Sequence, residues 1–121
     1  MNILITRDSV CAGDDGDAPH LVERHNVAAR SVHDLINIAV LEMPLASISG
    51  GQATWCLCSN IPLAVVAQQW KAPQHVALTP PKMEDLDVQG DAARFHFTYF
   101  AQHDPELVLT LMRRLRLRIV E

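Results

Sequence analysis

Residues 8–20 read Asp-Ser-Val-Cys-Ala-Gly-Asp-Asp-Gly-Asp-Ala-Pro-His and follow a short apolar run, Ile3-Leu4-Ile5. The carboxylates of Asp8, Asp14, Asp15 and Asp17, the thiol of Cys11 and the imidazole of His20 thus fall within 13 residues. That density exceeds what a plain connection requires. Such groups serve three chemistries: a hard-cation site, a zinc site, or a nucleophile with its base.

Spacing tests each one. An EF-hand loop alternates Asp or Asn ligands, carries Gly at its sixth position and ends on Glu at its twelfth. Counted from Asp15, those two positions are His20 and Asn26. Counted from Asp14, the third position is Gly16 and the twelfth is His25. Both frames fail, which leaves only a looser cation site on Asp14, Asp15 and Asp17. Zinc prefers paired Cys and His with two to four residues between ligands, and needs the pair twice. Cys11, His20 and His25 are near one another, but Cys56-Leu57-Cys58 has one intervening residue and occurs once. Alternation along a strand places both of its sulfurs on one face, and buried structural cysteine is the reading there.

Nucleophilic catalysis needs Ser or Cys, a His and an orienting acid. Ser9 or Cys11 with His20 or His25 and an aspartate meets the composition, yet six histidines make chance combinations easy. The Gly-x-Ser-x-Gly elbow is absent around Ser49. Ser49-Gly50-Gly51 offers backbone amides to a phosphate but has no Walker lysine. It reads as a turn. Asp and Gly are turn formers, so residues 8–20 read first as a turn and next as a carboxylate-presenting loop for a partner. No metal and no cofactor is expected.

The elements that must position this loop are legible from periodicity. Residues 1–6 form a strand by β-branched content and alternation. Residues 21–27 alternate weakly and suit an edge strand paired with the first. Ser31 caps a helix with Asp34 in the capping-box position. Val32, Leu35, Ile36, Ala39 and Val40 give its apolar face, and Pro44 ends it. Residues 53–59 and 63–70 are apolar on both faces and flank Asn60-Ile61-Pro62, which predicts a hairpin of central strands. Trp55 and Trp70 end its two arms and are expected in the core, where they could meet. Prolines 73, 80 and 81 bracket a short edge strand or meander at 76–78. Residues 86–88 form another short strand, and Gly90-Asp91 a turn. Residues 93–100 alternate cleanly, with Phe95, Phe97 and Tyr99 on one side and His96 exposed on the other. Asp104-Pro105-Glu106 starts a helix. Its closing Leu115-Arg-Leu-Arg-Ile119 also fits a strand, but without Gly or Pro to interrupt it the helix is taken to the end.

This order predicts a single α+β domain with a largely antiparallel or mixed sheet and two helices. The first two-thirds, ββαββ, has a β-grasp-like order. The 121 residues, 49% of them hydrophobic, suffice for a core without staples. Net charge is −4, which disfavours nucleic acid as a partner. Three cysteines are no disulfide framework, no signal-peptide pattern opens the chain, and no run has membrane-spanning length. A cytoplasmic protein without membrane or nucleic-acid partners is expected. Glu84, Asp85, Asp87 and Asp91 form a second acidic stretch.

Several segments together carry a resemblance: Ile5-Thr6-Arg7-Asp8-Ser9-Val10, Gly13-Asp14-Asp15, Asp17-Ala18-Pro19-His20, Ser49-Gly50-Gly51-Gln52-Ala53-Thr54-Trp55 and Ile61-Pro62-Leu63-Ala64-Val65. Over about the first 70 residues the chain resembles a family of small, uncharacterised bacterial proteins, some regarded as immunity proteins of secreted, contact-dependent toxins. The resemblance brings no catalytic residue. It implies a non-enzymatic protein that binds and blocks a basic toxin domain. Asp14, Asp15, Asp17 and His20, with Glu84, Asp85 and Asp87 as a second patch, are the expected contacts. The alternative is a small metal-binding protein or hydrolase built on the Asp, His and Cys residues of 8–25.

Overall fold

The computed structural model describes residues 1–9, 20–45, 51–77, 79 and 81–120, and of 116–120 the backbone alone. Strands β1 (Asn2–Arg7), β2 (Leu21–Arg24), β3 (Thr54–Ser59), β4 (Ile61–Ala67), β5 (Gln74–His75), β6 (Asp87–Gln89) and β7 (Ala92–Tyr99) form one mixed sheet. Helices α1 (Val32–Glu42) and α2 (Pro105–Val120) accompany it. This is the α+β class the pattern predicts.

The sheet order is β2-β1-β7-β3-β4-β5, with β6 also on β7. Among the described strands only β1 and β7 run parallel. β6 and β3 share one edge of β7, opposite residues 92–94 and 96–99 respectively. Ser59 stitches that junction: its hydroxyl donates to the Arg94 carbonyl at 2.6 Å and accepts from the Asp87 amide at 2.8 Å. Within the ββαββ portion, expected to have a β-grasp-like order, β2–β1 and β3–β4 do not pair with each other; β7, from the last third of the chain, lies between them.

Local chemistry explains the element ends. The Ser31 hydroxyl accepts from the Asp34 amide, and the Asp34 carboxylate accepts from the Arg30 amide. This is a capping box displaced by one residue. Met43 is extended, as a residue before proline must be, and α1 stops there. The β3–β4 hairpin turns on Asn60 alone, at φ 63°. Strand pairing then starts at Ile61, two residues earlier than the sequence suggests, and Pro62 lies beside a register shift between Leu57 and Cys58. A prolyl nitrogen has no hydrogen to give the ladder, and bulges are where a sheet tolerates it. Asp104 caps α2 by accepting from the Glu106 amide. Residues 115–119 continue that helix and are not a strand.

Two apolar clusters sit on opposite sides of the sheet. Ile3, Ile5, Phe95, Phe97, Trp55 and Leu57 pack with Leu35, Ile36 and Ala39 of α1. Val65 and Val76 pack with Val108 and Leu109 of α2. Each large side chain removed from water contributes roughly 1.5–3 kcal/mol, and β3 and β4 gain on both faces, as their composition predicts. The tryptophans do not meet. Trp55 belongs to the first cluster, with its ring 4.7 Å from that of Tyr99, while Trp70 lies beyond the end of β4 and packs on the second. Of the edge strand or meander expected at 76–78, Val76 and Ala77 lie outside any strand and residue 78 lies outside the described residues; the short edge strand is Gln74–His75, on β4.

Candidate functional site

α2 covers β4, and among the described residues no apolar cluster covers the β1, β7 and β3 portion of that same sheet face. Leu4, Thr6, Cys58, Ser59, Asn60, Asp87, Arg94 and His96 line a cleft of about 410 Å³ there. Three strand registers assemble it. Thr6 of β1 stands beside His96 of β7, and His96 stands beside Cys58 of β3. These residues alternate with core positions (Ile5, Phe95, Phe97, Leu57) and so share the opposite face.

His96 is the centre of a relay. Its Nδ1 lies 2.7 Å from Thr6 Oγ1, and its Nε2 lies 2.8 Å from Asp8 Oδ1. The other Asp8 oxygen accepts from the Tyr99 amide at 2.9 Å. A carboxylate only accepts, so Nε2 carries the proton, and in the neutral ring Nδ1 accepts from the Thr6 hydroxyl. Thr6 Oγ1 also lies 3.3 Å from the Phe95 carbonyl. Its proton therefore has a second acceptor if the ring becomes doubly protonated. His96 is thus a positioned side chain, half exposed, and not the bare exposed strand histidine expected from alternation. Hydroxyl, imidazole and carboxylate stand in the order that activates a nucleophile.

At the other end of the cleft Arg94 holds Asp87 in a two-pronged ion pair, at 3.0 and 3.2 Å. Asp87 therefore brings a neutralised carboxylate to the expected second acidic patch. Asp85 is exposed, and one of its oxygens accepts from the Lys82 amide at 2.9 Å, which fixes a 3-10 turn over Met83–Asp85. Glu84 is exposed on the same turn. His20 is exposed, with its Nε2 3.2 Å from Ser9 Oγ. That pair is one of those the sequence offers for nucleophilic chemistry. Cys11, Asp14, Asp15 and Asp17 lie outside the described residues.

Cys56 and Cys58 share a face as predicted, with their sulfurs 3.7 Å apart. The Cys58 thiol is held below the ordinary cysteine range, first by its hydrogen bond with Cys56 and then by Thr98; burial and the Asp8 charge oppose this. Cys56 is pushed far up by the same hydrogen bond, by burial and by the Cys58 charge. Among the described residues no group of three His, Cys, Asp or Glu is arranged to hold a metal ion. None of their helices is long and apolar enough to cross a membrane.

Compared with family models, with curated proteins and with solved structures, the chain matches none.

Sequence reasoning missed Thr6 and the Asp8–His96 contact, which joins residues 88 positions apart. Asp8 was visible as part of the acidic segment. Its partner was not, because only the parallel pairing of β1 with β7 brings the two together.

Proposed function

We propose that this chain is a non-enzymatic binding protein of the immunity type, which holds a basic toxin domain through its acidic surface. The observation that carries the reading is the Met83–Asp85 turn, where Glu84 and Asp85 are both exposed on backbone fixed by the Asp85 cap. A carboxylate presented from fixed backbone loses little freedom on binding, and acidic groups facing a basic groove steer association. The acidic 8–20 segment, with Asp14, Asp15, Asp17 and His20, supplies the rest of the contact. Asp87 lies beside this patch and contributes less to its charge, because Arg94 pairs with it.

The test is to read the neighbouring reading frame for a toxin-bearing protein and to measure, by calorimetry, the binding of the full chain to the basic domain of such a protein. Replacing Asp14, Asp15 and Asp17 together with alanine is expected to weaken binding by about 100-fold or more, since each tenfold is about 1.4 kcal/mol. Glu84→Ala with Asp85→Ala is expected to weaken it by about tenfold. Unchanged affinity in both variants removes this surface from the interface.

One observation favours a second reading, a small hydrolase: the Thr6–His96–Asp8 relay beside an open cleft. Hydrolysis of activated esters that survives His96→Ala rules out this relay as its source.

A further inference from the structure

The cleft is lined by the Cys58 thiol, with the buried Cys56 thiol beside it, and the binding reading uses neither. We propose that Cys56 and Cys58 form a dithiol that exchanges with a low-molecular-weight disulfide, Cys58 attacking and Cys56 resolving. Geometry supports this in three ways. The two residues are two apart on β3, so their Cα atoms stand about 6.5 Å apart from the strand rise, inside the range a disulfide spans. Their sulfurs already lie 3.7 Å apart, and the register shift between Leu57 and Cys58 shows that this stretch of β3 departs from regular pairing. Exposure then sorts the two roles. Cys56 is fully buried, whereas Cys58 is half-buried and lines the cleft. A reagent entering from solvent meets Cys58 first.

The electrostatics favour the same order. The Cys56 thiol and the Thr98 hydroxyl both stabilise a thiolate on Cys58, and the thiolate is the attacking species. Cys56 stays protonated first because it hydrogen-bonds Cys58, next because it is buried, and last because it feels the Cys58 charge. Once Cys58 is in a mixed disulfide its thiolate is gone, and with it both the hydrogen bond and the charge that hold the Cys56 proton, while burial remains.

The step balances. The Cys58 thiolate attacks one sulfur of RSSR; the S–S bond of RSSR breaks, a Cys58–SR bond forms, and RS⁻ leaves. The Cys56 thiolate then attacks Cys58 Sγ, forming Cys56–Cys58 and expelling the second RS⁻. The two cysteine protons end on two RSH, and two electrons pass from the dithiol to RSSR. The product closes a ring of only three residues within a paired strand. Such a loop restricts the unfolded chain little, and strain in the strand makes the bond readily reduced. The pair therefore acts as an exchanger and not as a staple.

The experiment uses the full chain with Cys11→Ser, reduced, then equilibrated with oxidised and reduced glutathione, quenched in acid and weighed intact. The expected product is two hydrogens lighter than the reduced chain. Adding Cys56→Ser should stop the reaction at one stable glutathione adduct on Cys58. Adding Cys58→Ser should leave Cys56 unmodified. Because a serine at buried position 56 can unfold the chain, the rate of iodoacetamide labelling of the Cys11→Ser protein is mapped as well. Cys58 is expected to label faster than Cys56, by about tenfold or more, because it lines the cleft and carries the more readily formed thiolate while Cys56 is fully buried. Accumulation of glutathione adducts without the lighter product, or equal labelling of the two cysteines, overturns the proposal.

Discussion

His33 and His75 stack with ring centroids 4.1 Å apart and planes 13° from parallel. They border a second cleft that Arg113 also lines, and Arg113 donates to the carbonyls of His75 and Val76. Burial, and then the His33 ring, lower the pKa of His75 below its usual 6.5. The sign follows by linkage. A base whose folded pKa is depressed takes up protons more readily when unfolded, so the stability it leaves intact above pH 6.5 is lost as the pH falls through that value toward the folded pKa. The midpoint of urea unfolding is therefore expected to fall as the pH drops below 6.5, and His75→Gln should flatten that decline. An equally steep decline in the variant places the responsible proton elsewhere. No spacing in the sequence relates these two rings, because α1 carries one and β5 the other. The same holds for Asp8 and His96. The Cys56–Cys58 pairing, by contrast, is a period-2 property of one strand and was legible at once.

Elements whose signals are local came out close to their predicted bounds. Ser31 and Asp34 start α1, Pro44 closes it, and Asp104-Pro105-Glu106 opens α2, because caps and proline act through the nearest backbone groups. The hairpin shows where local reading runs out. Asn60-Ile61-Pro62 looks like a three-residue connection, yet Ser59 pairs with Ile61 and one residue turns the chain. Such a turn needs backbone in the left-handed region, and Asn60 is there at φ 63°. Asn tolerates that region better than most residues, and a β-branched residue tolerates it worst. Asn60→Val is expected to cost about 1–2 kcal/mol of unfolding free energy, while Asn60→Gly stays within about 0.5 kcal/mol of the parent. Chemical denaturation of both variants measures the difference. Equal stability of the two would mean that the turn readily finds another conformation.

At the scale of the whole molecule the decisive strand is a late one. β7 lies between β1 and β3, pairing with β1 along residues 92–97 and with β3 along 96–99. Phe95 and Phe97, both buried, fill the centre of the larger core. Residues 1–89 therefore hold two separate pieces of sheet, β2–β1 and β3–β4–β5, with no strand between them. The alternation of residues 93–100 announced a strand, but not that it sits in the middle, since sheet order depends on contacts about 90 residues apart that periodicity does not encode. Two consequences follow. Closing so long a loop is slow, so folding is expected in the millisecond-to-second range of non-local topologies. A chain ending at Gln89 should also fail to fold cooperatively. It lacks both the ladder bonds of β7 and the apolar area of Phe95 and Phe97, the latter alone roughly 3–6 kcal/mol, comparable to the whole stability of many domains. Circular dichroism during urea titration of that truncated chain should show a broad, non-sigmoidal change. A sharp transition would show that α1 and the two sheet pieces already form a stable unit, with β7 an addition to the core and not its centre.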